Sequence, residues 1–274
     1  RLAQAPEVTL TAVLGGKFAT SFDDYALDQF PGRDSFRTLK AIVQYYVFRQ
    51  KDNNGVFLAE GNIGKLEFPL SESSALRAAE KFMSLKAQYF PDSDVYLSLV
   101  PDKSYFLAER NGYPALDYEK MVSLLRENTE GIQYIDLFDT LSADKYYTTD
   151  AHWRQEKIYP VAQWIAEAMG CELTAEYDKV VANDSFIGAY GRQSDLAMKP
   201  EELIYLTNEA LAGCIVTDYA SEDERYVTTG VYTIASAASE DGEGYDMFLD
   251  GAKSLLTIEN PASTTDKELI IFRD

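Results

Sequence analysis

The chain carries one histidine, His152, in the run Tyr146-Tyr147-Thr148-Thr149-Asp150-Ala151-His152-Trp153. Acid–base chemistry near neutral pH that uses an imidazole must use this one. Asp150 stands two residues earlier, close enough for one tight turn or helix start to present carboxylate and ring to the same cleft, with the carboxylate orienting the imidazole. These are two members of a nucleophile, base and orienter set. The third, a serine whose hydroxyl meets the imidazole, has to come from elsewhere in the chain. The competing assignments are structural: a hydrogen-bonded packing role for His152, and a helix N-cap for Asp150, with Thr148 and Thr149 as rival caps.

The elements that must position this pair follow from patterning. Leu39, Ile42, Val43 and Tyr46 fall at helical spacing over Arg37 to Gln50. Leu76, Ala79, Phe82 and Met83 do so over Ser74 to Tyr89, a helix that Pro91 stops. Val56 to Ala59, Val95 to Val100 and Ile132 to Phe138 read as strands, the second apolar enough to be covered on both faces. Asp117 is placed to cap a helix carrying Met121, Leu124 and Leu125. The alternation predicts a parallel sheet with helices on both faces. The Asp150 run comes after the third strand and before a helical pattern of Ile158, Val161, Ala162, Ile165 and Met169. The pair is therefore expected at or just before that helix's N-terminus, outside the carboxyl ends of the strands, where ligand sites form. Pro160 is expected to kink or delay the helix. Residues 172–262 change to short strand-like runs and acidic loops, a strand-rich insertion or lid within a single domain spanning 1–274. Glu268-Leu269-Ile270-Ile271-Phe272 then returns to a buried-strand pattern.

With 274 residues, 46% hydrophobic and 26% charged, the chain is long enough for a substantial core and reads as globular. Its formal charge of −20 speaks against nucleic acid and anionic membrane surfaces as partners, since their binders concentrate Lys and Arg. The 19 tyrosines suit sugar stacking and ordinary cores alike. Cys171 and Cys214 are too few for a disulfide scaffold and, beside one histidine, for a zinc site; a single bridge and two free thiols both stay open. No apolar run approaches the roughly 20 residues that span a bilayer. A metal site built on Asp150, His152 and acidic loop residues is the weakest alternative, because Asp-x-His has no partner motif here.

The run at 146–153 resembles the signature of the DHHW family of bacterial surface proteins, with Ala151 replacing the first of two family histidines and the second, at the catalytic position, intact as His152. Asp28-Gln29-Phe30-Pro31-Gly32-Arg33-Asp34 resembles the family's N-terminal motif, and Ser185-Phe186-Ile187-Gly188-Ala189-Tyr190-Gly191 resembles its post-helix glycine segment. The matches are spread over nearly the whole chain. The family is similar to the SGNH-hydrolase-like domains of the alginate O-acetylation machinery, which use Asp and His of an Asp-x-His motif and a Ser from a later segment. The resemblance implies a three-layer α/β/α SGNH-hydrolase-like sandwich with a mostly parallel sheet. It implies a cell-envelope esterase or O-acetyltransferase acting on a surface polysaccharide or small acyl ester, without a cofactor. It also implies an extracellular or cell-surface location, an N-terminal membrane anchor preceding Arg1, and a membrane-bound partner that delivers acyl groups. In this pattern the serine follows the last core strand in a run such as Arg-Asp-Ser-Phe. Phe272-Arg273-Asp274 stops one residue short, so the nucleophile is expected just past Asp274.

Gly32-Arg33-Asp34-Ser35-Phe36 contains the same Asp-Ser-Phe text, but Ser35 precedes the first amphipathic helix and is expected to cap it rather than to attack. Four further residues are substrate-binding candidates. Trp153 reads as a wall beside the site, with sugar stacking as the sharper option. Asn62, after the first strand, suits an oxyanion donor, against a turn role between Gly61 and Gly64. Arg192 suits a glycan or carboxylate, against a surface ion pair. Tyr190 belongs to the glycine segment. The alternative to catalysis is a glycan-binding or envelope-assembly module on the same fold.

Overall fold

A computed structural model describes residues 4–220, 224–238 and 244–273. The chain opens with helices α1 (Leu10–Leu14), α2 (Lys17–Asp28) and α3 (Arg33–Ile42), continued by a π-turn at Val43–Val47. Gly16 and Gly32 sit in the left-handed region just before α2 and α3, a conformation glycine adopts freely. Ser35 therefore lies inside the first turn of α3 and caps nothing, contrary to expectation: the helix starts earlier, at Arg33, because Gly32 turns the chain into it.

Strands β1 (Val56–Ala59) and β2 (Asn62–Lys65) pair antiparallel. Their two-residue connection, Glu60-Gly61, has positive φ at both positions, the geometry that matches strand twist in a tight hairpin. Helix α4 (Glu72–Tyr89) follows the expected apolar stripe and buries Ala75 and Ala79. Strand β3 (Tyr96–Leu97) leads through a short α5 (Ser104–Leu107) to α6 (Tyr118–Glu127), whose cap is Asp117, its Oδ1 accepting the Lys120 N–H at 2.9 Å. Strand β4 (Gln133–Tyr134) lies parallel to β3. Helix α7 (Tyr159–Ala168) carries Pro160 in its first turn, where the missing N–H costs no helical bond, so the proline starts the helix rather than kinking it.

The strand-rich part comes next. Strand β5 (Asp178–Phe186) runs into helix α8 (Ala189–Ser194) and back into β6 (Glu201–Thr207), antiparallel to β5 with bulges near Asn183. A short α9 (Glu209–Gly213) leads to β7 (Ile215–Asp218), flanked on both sides by antiparallel partners β8 (Tyr226–Thr229) and β9 (Leu256–Glu259).

The fold is thus mixed α/β with small sheets, most of them antiparallel; among the described residues β3 with β4 is the parallel pair. The expected mostly parallel sheet is not built. Its first strand, β1, is turned back on itself by Glu60-Gly61, and its last, Glu268–Phe272, has no strand partner among the described residues and leaves Leu269, Ile270, Ile271 and Phe272 exposed. Cys171 and Cys214 are both free, one exposed and one buried. Among the described residues no helix is long and apolar enough to cross a membrane.

Candidate functional site

Local chemistry alone folds Asp-x-His. Asp150 Oδ1 accepts the backbone N–H of His152 at 3.0 Å, the turn in which an aspartate binds the main chain two residues on. That turn carries the imidazole back over the carboxylate, and His152 Nδ1 lies 2.5 Å from the same oxygen. The flanking residues are extended. Tyr146 bridges Trp153, the Tyr147 N–H donates to the His152 carbonyl at 3.1 Å, and the Arg154 N–H donates to the Lys145 carbonyl at 2.7 Å. The run is a small hairpin with Asp150 near its tip, not the start of α7, which begins only at Tyr159. Successive side chains of an extended segment point to opposite sides. Tyr146 accordingly enters the cluster of Ile135, Leu137, Leu141 and Val161, while Tyr147 enters that of Phe186, Leu203, Ala237 and Met247.

Distant residues then fix the hairpin. Glu201, the first residue of β6, accepts the Thr148 N–H at 3.1 Å and the Thr149 N–H at 3.1 Å, takes both threonine hydroxyls at 2.8 and 3.0 Å, and pairs with Arg154 at 3.2 Å. The turn into α8 closes from the other side. The Gly188 N–H donates to Thr149 Oγ1 at 2.9 Å, the Ala189 N–H to Asp150 Oδ2 at 2.7 Å, and the Gly191 N–H to the Thr149 carbonyl at 2.8 Å. A Cβ at position 188 would lie 2.2 Å from Asp150 Cβ and 2.3 Å from Oδ2, so only glycine lets this backbone come so close. The aspartate thus meets a helix N-terminus after all, that of α8 rather than α7. From below, the fully buried Lys103 donates to the Tyr147 and Thr148 carbonyls at 2.7 and 3.0 Å. The Ile63 N–H of β2 reaches the Thr148 carbonyl at 2.8 Å. In chain order Lys103 follows β3 and the hairpin follows β4.

Electrostatics assign the roles. Burial pushes the Asp150 carboxyl up, but the hydrogen bonds and charge of His152, with the Ala189 N–H, outweigh it and leave the group below the usual carboxylate value. An ionised carboxylate only accepts, so Nδ1 of His152 carries the proton of the shared bond and Nε2 presents a lone pair. The Asp150 side chain is 4% exposed and that of His152 53%, so the carboxylate is closed off from water while the ring is open to an incoming group. Burial pulls Lys103 down to about 8, against the carboxylates of Asp102, Asp150 and Glu201.

The other candidates divide. Trp153 packs with Ile158, Ile165 and Met169 against the Ile135 cluster. Tyr190 is buried against Val56 and Ile63, its hydroxyl 3.2 Å from Asp102 Oδ2 and its ring 5.4 Å from the Lys103 ammonium; burial and Asp102 push its phenol up. Ala151, where the resembling family has histidine, packs against the same cluster. Asn62 donates to the Glu60 carbonyl at 3.2 Å, the turn role, and lines a cavity of about 490 Å³ with Thr148, Arg154 and Lys157, outside which Asp150 and His152 lie. Arg192 donates to the Ile187 carbonyl at 2.7 Å. Among the described residues no group of three or more His, Cys, Asp and Glu side chains is gathered for a metal ion. Sequence reasoning missed Glu201, Lys103 and Tyr245, whose ring stacks on His152 with centroids 3.8 Å apart. Only Gly188 left a trace, as part of the glycine segment.

No protein-family model matches the chain, and no curated relative does. Two solved structures share its fold. A DHHW family protein from Eubacterium siraeum is 16% identical with a TM-score of 0.59, over 78% of this chain and 73% of that one. PatB1 of Bacillus cereus, solved with a sulfonyl adduct, is 16% identical with a TM-score of 0.56, over 76% of this chain and 74% of that one.

Proposed function

We propose that this chain is an SGNH-like acyl esterase or O-acetyltransferase of the cell envelope, acting on a surface polysaccharide. Asp150 and His152 supply two thirds of its triad, and a serine from chain following Asp274 supplies the rest. The observation that carries the reading is the 2.5 Å contact between a buried carboxylate and Nδ1 of a half-exposed imidazole. His152 Nε2 takes the serine proton as the hydroxyl oxygen attacks the acyl carbon; the imidazolium then returns that proton to the departing alcohol, leaving an acyl-enzyme. Water or a sugar hydroxyl reverses the sequence, giving hydrolysis or transfer. Asp150, held at Oδ2 by the Ala189 N–H, keeps the ring in one tautomer and stabilises its charge.

Two further observations support the reading. Arg273, in the C-terminal segment, lies near enough to Tyr245, the ring stacked on His152, for its charge to oppose the rise that burial imposes on that phenol. PatB1 shares the fold and was solved with a sulfonyl adduct, the mark such reagents leave on an activated nucleophile. The test is an acetyl-ester assay on the chain continued past Asp274. An acyl burst that His152→Ala abolishes supports the triad. No burst or turnover, and no loss on His152→Ala, leaves the glycan-binding module, and turnover that His152→Ala does not reduce overturns the triad. A residue without hydroxyl or thiol immediately after Asp274 overturns the nucleophile assignment.

A further inference from the structure

The hydrogen bond from Nδ1 to Asp150 fixes one edge of the His152 ring but leaves its plane free to swing about that contact. A second constraint lies on the face of the ring. Tyr245, on the short turn Gly244–Met247 of the strand-rich part, stacks on the imidazole at 3.8 Å between centroids and 12° between planes. The tyrosine is itself braced. Phe248 packs on it at 4.7 Å and Tyr147 meets it at 6.1 Å, nearly edge-on. The turn beneath is anchored by Met247 and Ala237, both fully buried, and a Cβ at Gly244 would press to 3.0 Å from the Ala237 carbonyl. The Tyr245 ring is thus held by the core rather than laid loosely over the site.

We propose that Tyr245 is the positioning residue for His152: it fixes the plane of the imidazole so that Nε2 faces one direction, and its π-face favours the imidazolium formed during turnover. A cation within about 6 Å of an aromatic centroid is attracted by the ring quadrupole, and this stack lies well inside that range. The strand-rich part thereby contributes to the base itself. The catalytic half of the proposal rests on His152 acting as the base; the geometric half does not. The charged groups around the stack are Asp150 on the hairpin, Glu156 after it and Arg273 in the C-terminal segment. All three stay in place in the variants below.

Because His152 is the chain's one histidine, its ring protons can be followed by NMR without competing imidazole signals. In the native protein those signals should sit upfield of the same signals in urea, shifted by the Tyr245 ring current. Tyr245→Phe should keep that displacement. Tyr245→Leu should abolish the displacement. In the ester assay on the continued chain, Tyr245→Leu should lower kcat about tenfold with KM within twofold, and Tyr245→Phe should restore it. No upfield displacement in the native protein, or a displacement and kcat unmoved by Tyr245→Leu, overturns the proposal. The native shift and the Tyr245→Phe result decide the matter even where the leucine variant fails to fold. Ring shifts that respond as stated in a protein without ester turnover uphold the stack and overturn the esterase reading instead.

Discussion

In the hairpin Tyr146–Trp153, Tyr147, Thr149 and Asp150 are almost wholly buried, and the backbone of the tip is bonded to β2, α8, β6 and Lys103. In the helices at the start of the chain the apolar side chains face outward instead: Leu14 is 79% exposed and Val47 66%. That end is tied to the body by such contacts as the Arg37 ion pair with Asp195 and the Tyr45 hydroxyl on the Val56 carbonyl. Polar groups hold the hairpin, where water is excluded and each unmet donor would cost about 1–3 kcal/mol. Apolar groups line the helices, where little is excluded and little is gained. The contrast teaches that the geometry of the site depends on distant polar partners closing over it, not on the amphipathic pattern that most catches the eye in the sequence.

The largest expected break in this contrast is at the base. In the continued chain, His152→Ala should cut ester turnover on the order of 10³- to 10⁴-fold with little change in thermal midpoint, read by steady-state kinetics beside a melting curve. Glu201→Ala leaves two backbone N–H groups, two hydroxyls and Arg154 without their shared acceptor. It should cost about 3 kcal/mol in urea unfolding, with Glu201→Gln recovering part; a loss below about 0.5 kcal/mol would mean that the hairpin is held by something else.

Lys103 sharpens the comparison through pH. Its folded value of about 8 lies below its value of about 10.4 in the unfolded chain, so between these the unfolded state binds more protons and stability rises with pH. Relative to Lys103→Met, the native protein should gain roughly 3 kcal/mol between pH 7 and 11, measured as urea midpoints at both ends. A flat difference would show that the ammonium is not held in a desolvated place. Gly188→Ala should cost roughly 2 kcal/mol and also depress turnover, because the added methyl displaces Asp150 from His152. The smallest effect belongs to the helices: Leu14→Ser should change stability by less than about 0.5 kcal/mol and leave the His152 NMR signals in place.

What could be read from the sequence is what depends on neighbours along the chain. Asp117 caps α6 and the apolar stripe gives α4, each through contacts within a turn or two. Asp-x-His belongs to the same class, since its turn and its ring contact join residues two apart. Strand pairing is not legible because a short apolar run records neither its partner nor whether it is buried: β1 joins its own hairpin, and residues 269–272 stay exposed with no strand partner among the described residues.

The sequence by itself determined that this protein has one imidazole and that a carboxylate would lie against it. Only the tertiary structure decided that the carboxylate is buried and the ring open. It did so by bringing Ala189 across 39 residues to Asp150, Glu201 across 52 to Thr149, and Tyr245 onto the face of His152. Contacts over such separations leave no periodic trace. They follow from how the packed elements exclude water around the hairpin, and that exclusion turns two residues near in sequence into an oriented carboxylate–imidazole pair.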